Sequence, residues 1–193
     1  MTLTATATGT DRKVWVGCLA CYNDGRLMGA WFDADEVGDL TSDELHDLHD
    51  PNRHDLKDQR EGYGQHEEIW CFDIEGFGYW NREMSPSEAA ELDAGITALT
   101  DETGADPEAV FAWAAYIGAS HDDLTSGGFE DAYHGEHDSA EAFVEQHYED
   151  CYGTDALGPL AQYIDWERVA RDWGFDGWHF HETGSGSVYV FGP

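Results

Sequence analysis

The chain has 193 residues, with 41 Asp and Glu against 9 Lys and Arg, a formal net charge of −32 at pH 7. A composition so poor in Lys and Arg excludes DNA, RNA and anionic membranes as direct binding partners, because phosphate recognition needs those side chains. No apolar run approaches the roughly 18 residues of a spanning helix, and four scattered cysteines, Cys18, Cys21, Cys71 and Cys151, read as reduced thiols of a cytoplasmic protein rather than a disulfide framework.

Disorder is the usual fate of a chain with this much charge. Here 13% of residues are aromatic, eight of them Trp, which predicts folded units with small, aromatic-rich cores. Residues 1–10 lack the basic start and apolar centre of a secretion signal and read as a disordered leader. Val14 to Cys21 has strand composition. Tyr22-Asn23-Asp24-Gly25 then gives a hairpin turn, with Leu27 to Phe32 returning. Thr41 and Glu44 have capping-box spacing before a short helix carrying Leu45 and Leu48, stopped at Pro51. Residues 51–66 are polar and read as a loop. Glu68 to Ile74 alternates as a strand does.

Ser85-Pro86-Ser87-Glu88 predicts a helix start, followed by Leu92, Ile96 and Leu99 at helical spacing. Asp106-Pro107 opens the next helix, with Val110, Trp113, Ala114 and Ile117 on one face. Gly127-Gly128 marks a joint before a short helical turn from Phe129 to Tyr133. Asp138 with Glu141 starts another helix, on which Val144, Tyr148 and Cys151 line up. Asp165 starts the last, with Trp166, Val169, Ala170 and Trp173. Trp178 to Glu182 and Val188 to Phe191 form a closing hairpin. This order predicts an α+β fold. Three small domains are expected: a mixed-sheet domain over 11–75, a helical domain over 76–120 and a helix-plus-sheet domain over 121–193.

Several candidate sites are weak. Cys18 and Cys21 have CxxC spacing, but on a strand residues three apart face opposite sides, so both are expected to be structural thiols. Asp33, Asp35, Gly38 and Glu44 nearly fit a calcium loop, yet Val37 at the fifth position has no side-chain oxygen and a strand precedes it. His46, His49 and His54 lie close in sequence. His179 and His181 share a strand face and could hold zinc, but no third ligand is identifiable. No GxSxG, phosphate loop or dinucleotide fingerprint is present. No catalytic residue, cofactor or metal is therefore assigned.

The charge remains to be explained. Glu83 to Glu167 spans 85 residues with 21 Asp and Glu and no Lys or Arg. Helix neighbours three or four apart stand about 5–6 Å from one another, against roughly 3.4 Å of rise per phosphate on one DNA strand. A charge of −32 equals that on about 54 Å of duplex, and a compact globule of this length would be roughly 40 Å across. The acidic surface expected to act is Glu88, Glu91, Asp101, Glu102, Asp122, Asp123, Glu130, Asp131, Glu136, Asp138, Glu141, Glu145, Glu149 and Asp150. Charge alone fits either imitation of another polyanion or a halophilic or acid-adapted enzyme with a carboxylate or metal site.

Four segments separate those readings. Val14-Trp-Val-Gly-Cys-Leu-Ala-Cys-Tyr-Asn-Asp-Gly-Arg-Leu-Met-Gly-Ala-Trp-Phe-Asp33 resembles the opening of the ArdA-type antirestriction proteins. Asp73-Ile-Glu-Gly-Phe77 is similar to the same family. Phe129-Glu-Asp-Ala-Tyr-His-Gly-Glu-His-Asp-Ser-Ala-Glu-Ala-Phe143 resembles its antirestriction motif, and Tyr163-Ile-Asp-Trp-Glu-Arg-Val-Ala-Arg-Asp-Trp173 its end. The resemblance implies an elongated, dimeric DNA mimic from mobile DNA that occupies the DNA channel of the methyltransferase core of type I restriction–modification enzymes. It also implies that Phe129, Tyr133, Gly135 and Phe143 support the fold or the dimer contact. Glu130, Asp131, Glu136, Asp138 and Glu141 would supply phosphate-like charge.

Overall fold

A computed structural model describes residues 11–49, 66–125, 127–153 and 157–193. The expected leader, the polar loop up to residue 65, His54 and the stop at Pro51 lie outside these residues. The chain divides into two compact units, Met1–Ala98 and Leu99–Pro193. Each carries a three-stranded antiparallel sheet with helices, so the fold class is α+β.

In the first unit the sheet order is β2-β1-β3. Strand β1 (Lys13–Cys18) runs down the middle, pairing Val14 with both Phe32 of β2 (Gly29–Asp33) and Ile74 of β3 (Ile69–Glu75). Val14 and Val16 are completely buried. The Trp15 indole lies across Gly17 and Gly29, where an added Cβ would stand 2.4–2.5 Å from a ring carbon. At Gly29 an added Cβ would also meet the Val16 carbonyl oxygen at 2.5 Å, so glycine is required there; at Gly17 a side chain would displace the Trp15 ring.

The expected strand from Val14 to Cys21 is too long. It ends at Cys18, and helix α1 (Leu19–Asn23) follows. Leu19 and Ala20 are strong helix formers, and the Asp24 N–H closes the turn on the carbonyls of Ala20 and Cys21. β1 and β2 still pair as a hairpin, but through this helical turn. Helix α2 (Ser42–His49) begins at the expected capping box. The Thr41 N–H donates to the Glu44 carboxylate at 2.9 Å, and the Glu44 N–H donates back to the Thr41 hydroxyl at 3.3 Å. Helix α3 (Pro86–Thr103) begins where Ser85 accepts from the Glu88 N–H at 3.1 Å, and it buries Leu92 and Ile96.

The boundary at Leu99 falls within α3; the next helix of the second unit is α4 (Pro107–Ile117), capped by Asp106 through the Glu108 N–H at 2.8 Å. A short α5 (Gly128–Ala132) leads into β4 (Tyr133–His137), a strand the sequence reading does not contain. Helix α6 (Ala140–Tyr152) is capped by Ser139 rather than by Asp138, and its Cys151 is exposed rather than aligned with a buried face. Helix α7 (Trp166–Phe175) is capped by Asp165. Strands β5 (His179–Glu182) and β6 (Val188–Phe191) form the closing hairpin. The sheet order is β4-β6-β5, with all of β6 buried. Phe143, Val144, Ala170, Val188 and Val190 form a core, against which Trp173, Trp178 and Phe180 pack.

Candidate functional site

Most expected carboxylates reach solvent. Glu91, Asp101, Glu102, Asp122, Glu130, Asp131, Glu136, Asp138, Glu145 and Asp150 are exposed; Glu88, Asp123, Glu141 and Glu149 are half-buried. On α6, Glu141, Glu145 and Glu149 recur every four residues, which places them in one row along the helix. Gln146 donates to Asp150 at 2.9 Å beside that row. Glu88 is partly neutralised, because Arg82 donates to it at 2.5 Å. The stretch 83–167 holds no Lys or Arg of its own, so the partners of Glu88 and of the buried Asp93, Arg82 and Arg12, come from outside it.

Hydrogen bonds hold two of these groups in the charged form. Asp123 accepts from the Ser120 hydroxyl at 2.7 Å and its N–H at 2.6 Å, and these bonds lower its carboxyl pKa below the usual value. Glu141 is lowered by the hydroxyl of Ser139, the residue that also caps α6, and by its own backbone. The crowding of charge registers on neutral groups too. Burial, reinforced by Asp106, Glu136 and Glu108, pushes the Tyr189 hydroxyl up to about 12. Tyr133 is raised by burial and by Glu136 and Asp106. Asp106 and Glu108 thus belong to the same acidic region, although sequence reasoning assigns Asp106 only a capping role.

The segment from Phe129 to Phe143 is a helix–strand–helix connection. Phe129 is buried, with Trp113 at 5.7 Å between ring centroids and Tyr133 stacked on it at 4.9 Å. Phe143 packs among Trp178 at 5.3 Å and Phe180 at 6.2 Å. Gly135 has φ +99 beside a register shift in the β4–β6 pairing, a bulge that needs glycine. Glu136 then accepts a hydrogen bond from the Ser187 hydroxyl. The aromatic members are therefore interior, and the acids between them point outward on a fixed frame.

A family model described as antirestriction protein (ArdA) matches residues 14–188. The chain belongs to the ArdA antirestriction family. The match runs from β1 to the first residue of β6 and includes α6 with its acidic row and the Phe129–Phe143 segment. Membership assigns antirestriction as the activity, and with it a restriction enzyme as the opposing partner. No curated protein sequence matches this ArdA chain significantly. Among the described residues, no helix is long and apolar enough to cross a membrane.

Other candidate groups fare differently in this ArdA protein. The calcium-loop reading fails locally: Val37 is completely buried, Asp33 is itself the last residue of strand β2, and the Glu44 carboxylate is bonded to the Thr41 N–H and hydroxyl. His179 and His181 stand 6.2 Å apart between ring centroids. His179 stacks on Tyr116 at 4.2 Å, and burial followed by His181 lowers its pKa. The expectation that Cys18 and Cys21 face opposite sides is overturned. Because the strand ends at Cys18, the helical turn carries Cys21 round to the same side, next to His46 and His66. Sequence reasoning passes over His66, which sits at the end of a polar stretch with no local pattern around it.

Proposed function

We propose that this ArdA protein inhibits restriction by DNA mimicry, occupying the DNA-binding channel in the methyltransferase core of a type I restriction–modification enzyme so that incoming mobile DNA escapes cleavage. The observation that carries the reading is the run of 21 carboxylates without a Lys or Arg between Glu83 and Glu167, most of them exposed on helices and loops. A channel lined with Lys and Arg is built for phosphates. Carboxylates at similar density attract it over long range and release counterions as DNA does. Contacts of this kind carry no sequence information, so inhibition is indifferent to the recognition sequence. The protein is an inhibitor, not an enzyme. In the same reading it acts in the cytoplasm as a homodimer with the Phe129–Phe143 segment near the contact, and the expected three small domains over 11–75, 76–120 and 121–193 are a finer division than the two compact units.

The test is a competition. A type I enzyme is bound to a labelled duplex, and the purified protein is added while fluorescence anisotropy follows the DNA. Displacement is expected at low salt, weakening roughly tenfold or more between about 50 and 200 mM, the direction that phosphate contacts dictate. No displacement from several such enzymes by folded protein would leave the antirestriction assignment standing and remove mimicry as its mechanism.

A further inference from the structure

The first unit contains four buried or half-buried side chains with no role in an acidic surface. Cys18 ends β1, Cys21 sits in α1, His46 lies on α2, and His66 precedes β3. Cys18, Cys21 and His46 are almost wholly buried. One ligand atom from each of the four lies within 4.8 Å of all the others. Three separations are known individually: Cys18 Sγ to His66 Nδ1 is 3.3 Å, Cys21 Sγ to His66 Nδ1 is 3.4 Å, and Cys21 Sγ to His46 Nε2 is 3.6 Å.

We propose that Cys18, Cys21, His46 and His66 bind one zinc ion as a closed, tetrahedral structural site. Zinc bonds of about 2.3 Å to sulfur and 2.0–2.1 Å to nitrogen, at tetrahedral angles, separate a sulfur from a nitrogen ligand by about 3.6 Å. The three Cys–His distances fall at or just inside that length. Two thiolates and two imidazoles are a zinc donor set, and a CxxC pair at a strand-to-helix turn is where such pairs sit. The surroundings also orient one ring. His46 Nδ1 lies 3.3 Å from the Ser42 hydroxyl, which in turn donates to the His66 carbonyl. With its proton on Nδ1, His46 turns the Nε2 lone pair towards the cysteines, as an outer hydrogen bond does for metal-binding histidines. Four protein ligands leave no open position, so the role is structural. The ion ties together parts of the chain up to 48 positions apart, where closing long loops stabilises most.

This inference goes beyond the antirestriction reading and stands or falls separately from it. The experiment uses the full-length, tag-free chain purified without chelator. Elemental analysis is expected to give one zinc per chain. Exchange into cobalt(II) is expected to give the visible bands of a tetrahedral centre and a thiolate charge-transfer band. Stripping the ion lowers the thermal midpoint, and zinc at about a hundred times its dissociation constant restores roughly 5–10 °C. Cys18→Ser and Cys21→Ser lose zinc, whereas His179→Gln with His181→Gln keeps it. Folded wild-type protein that holds no zinc and gives no cobalt spectrum would overturn the site. So would zinc retained in both cysteine variants, or lost with His179 and His181. Should the cysteine variants fail to fold, the wild-type stoichiometry and the thiolate band decide alone.

Discussion

Arg12 is one of 9 basic residues on a chain of 41 acids, and it is spent in the interior. Its Nε donates to Asp93 Oδ1 at 2.6 Å, and its Nη2 to the Thr97 hydroxyl at 2.5 Å. Both members of the ion pair are more than 90% shielded from solvent. A buried pair gains little over apolar residues of the same shape, but removing one partner strands a charge and costs about 3–5 kcal/mol. Arg12→Met is therefore expected to destabilise the first unit by that amount in urea unfolding. Arg12→Met combined with Asp93→Leu should recover most of it. If the single and double variants were equally unstable, the loss would come from packing of the arginine stem and not from the stranded carboxylate.

At the scale of elements, Ser139 has a double duty. Its hydroxyl accepts from the Ala142 N–H at 3.1 Å to start α6, and it helps to keep Glu141 ionised. Ser139→Ala is expected to cost about 1 kcal/mol, seen as a shift of the urea midpoint, while Ser139→Asp retains the cap. Such starts are legible in sequence because they are local: Ser85, Asp106 and Asp165 each cap the helix that their spacing predicts. β4 is not legible. Tyr-His-Gly-Glu-His has no apolar alternation and contains a glycine, and it becomes a strand because β6 offers partners at Tyr133↔Phe191 and Glu136↔Tyr189. The exposed acids follow from composition, since a chain this charged has nowhere else to put them. The cysteine–histidine group does not: the CxxC spacing of Cys18 and Cys21 is visible, but His46 and His66 come from two further segments that only the folded sheet and helices bring to it.

For the molecule as a whole, the question is whether the charge acts as a sum or through a few contacts. The row Glu141, Glu145 and Glu149 gives a direct answer. Each exposed carboxylate contributes about 1 kcal/mol or less on its own. Glu145→Gln alone is expected to shift the displacement midpoint only a few-fold. Glu141→Gln, Glu145→Gln, Glu149→Gln and Asp150→Asn together are expected to weaken it at least about a hundredfold and to flatten its salt dependence. If Glu145→Gln alone abolished displacement, distributed charge would be the wrong description.

The strand order of the second sheet sets a schedule for its synthesis. β6 lies between β4 and β5 but is made after both. At about 5–20 residues per second, β4 waits roughly 3–10 s for the strand that completes it. During that wait its backbone edge is open to pairing with neighbouring nascent chains on the same message. Those neighbours expose the same run of carboxylates without a compensating base. Mutual repulsion between those runs opposes such pairing, a consequence of the charge during synthesis that does not depend on what the finished protein does with it.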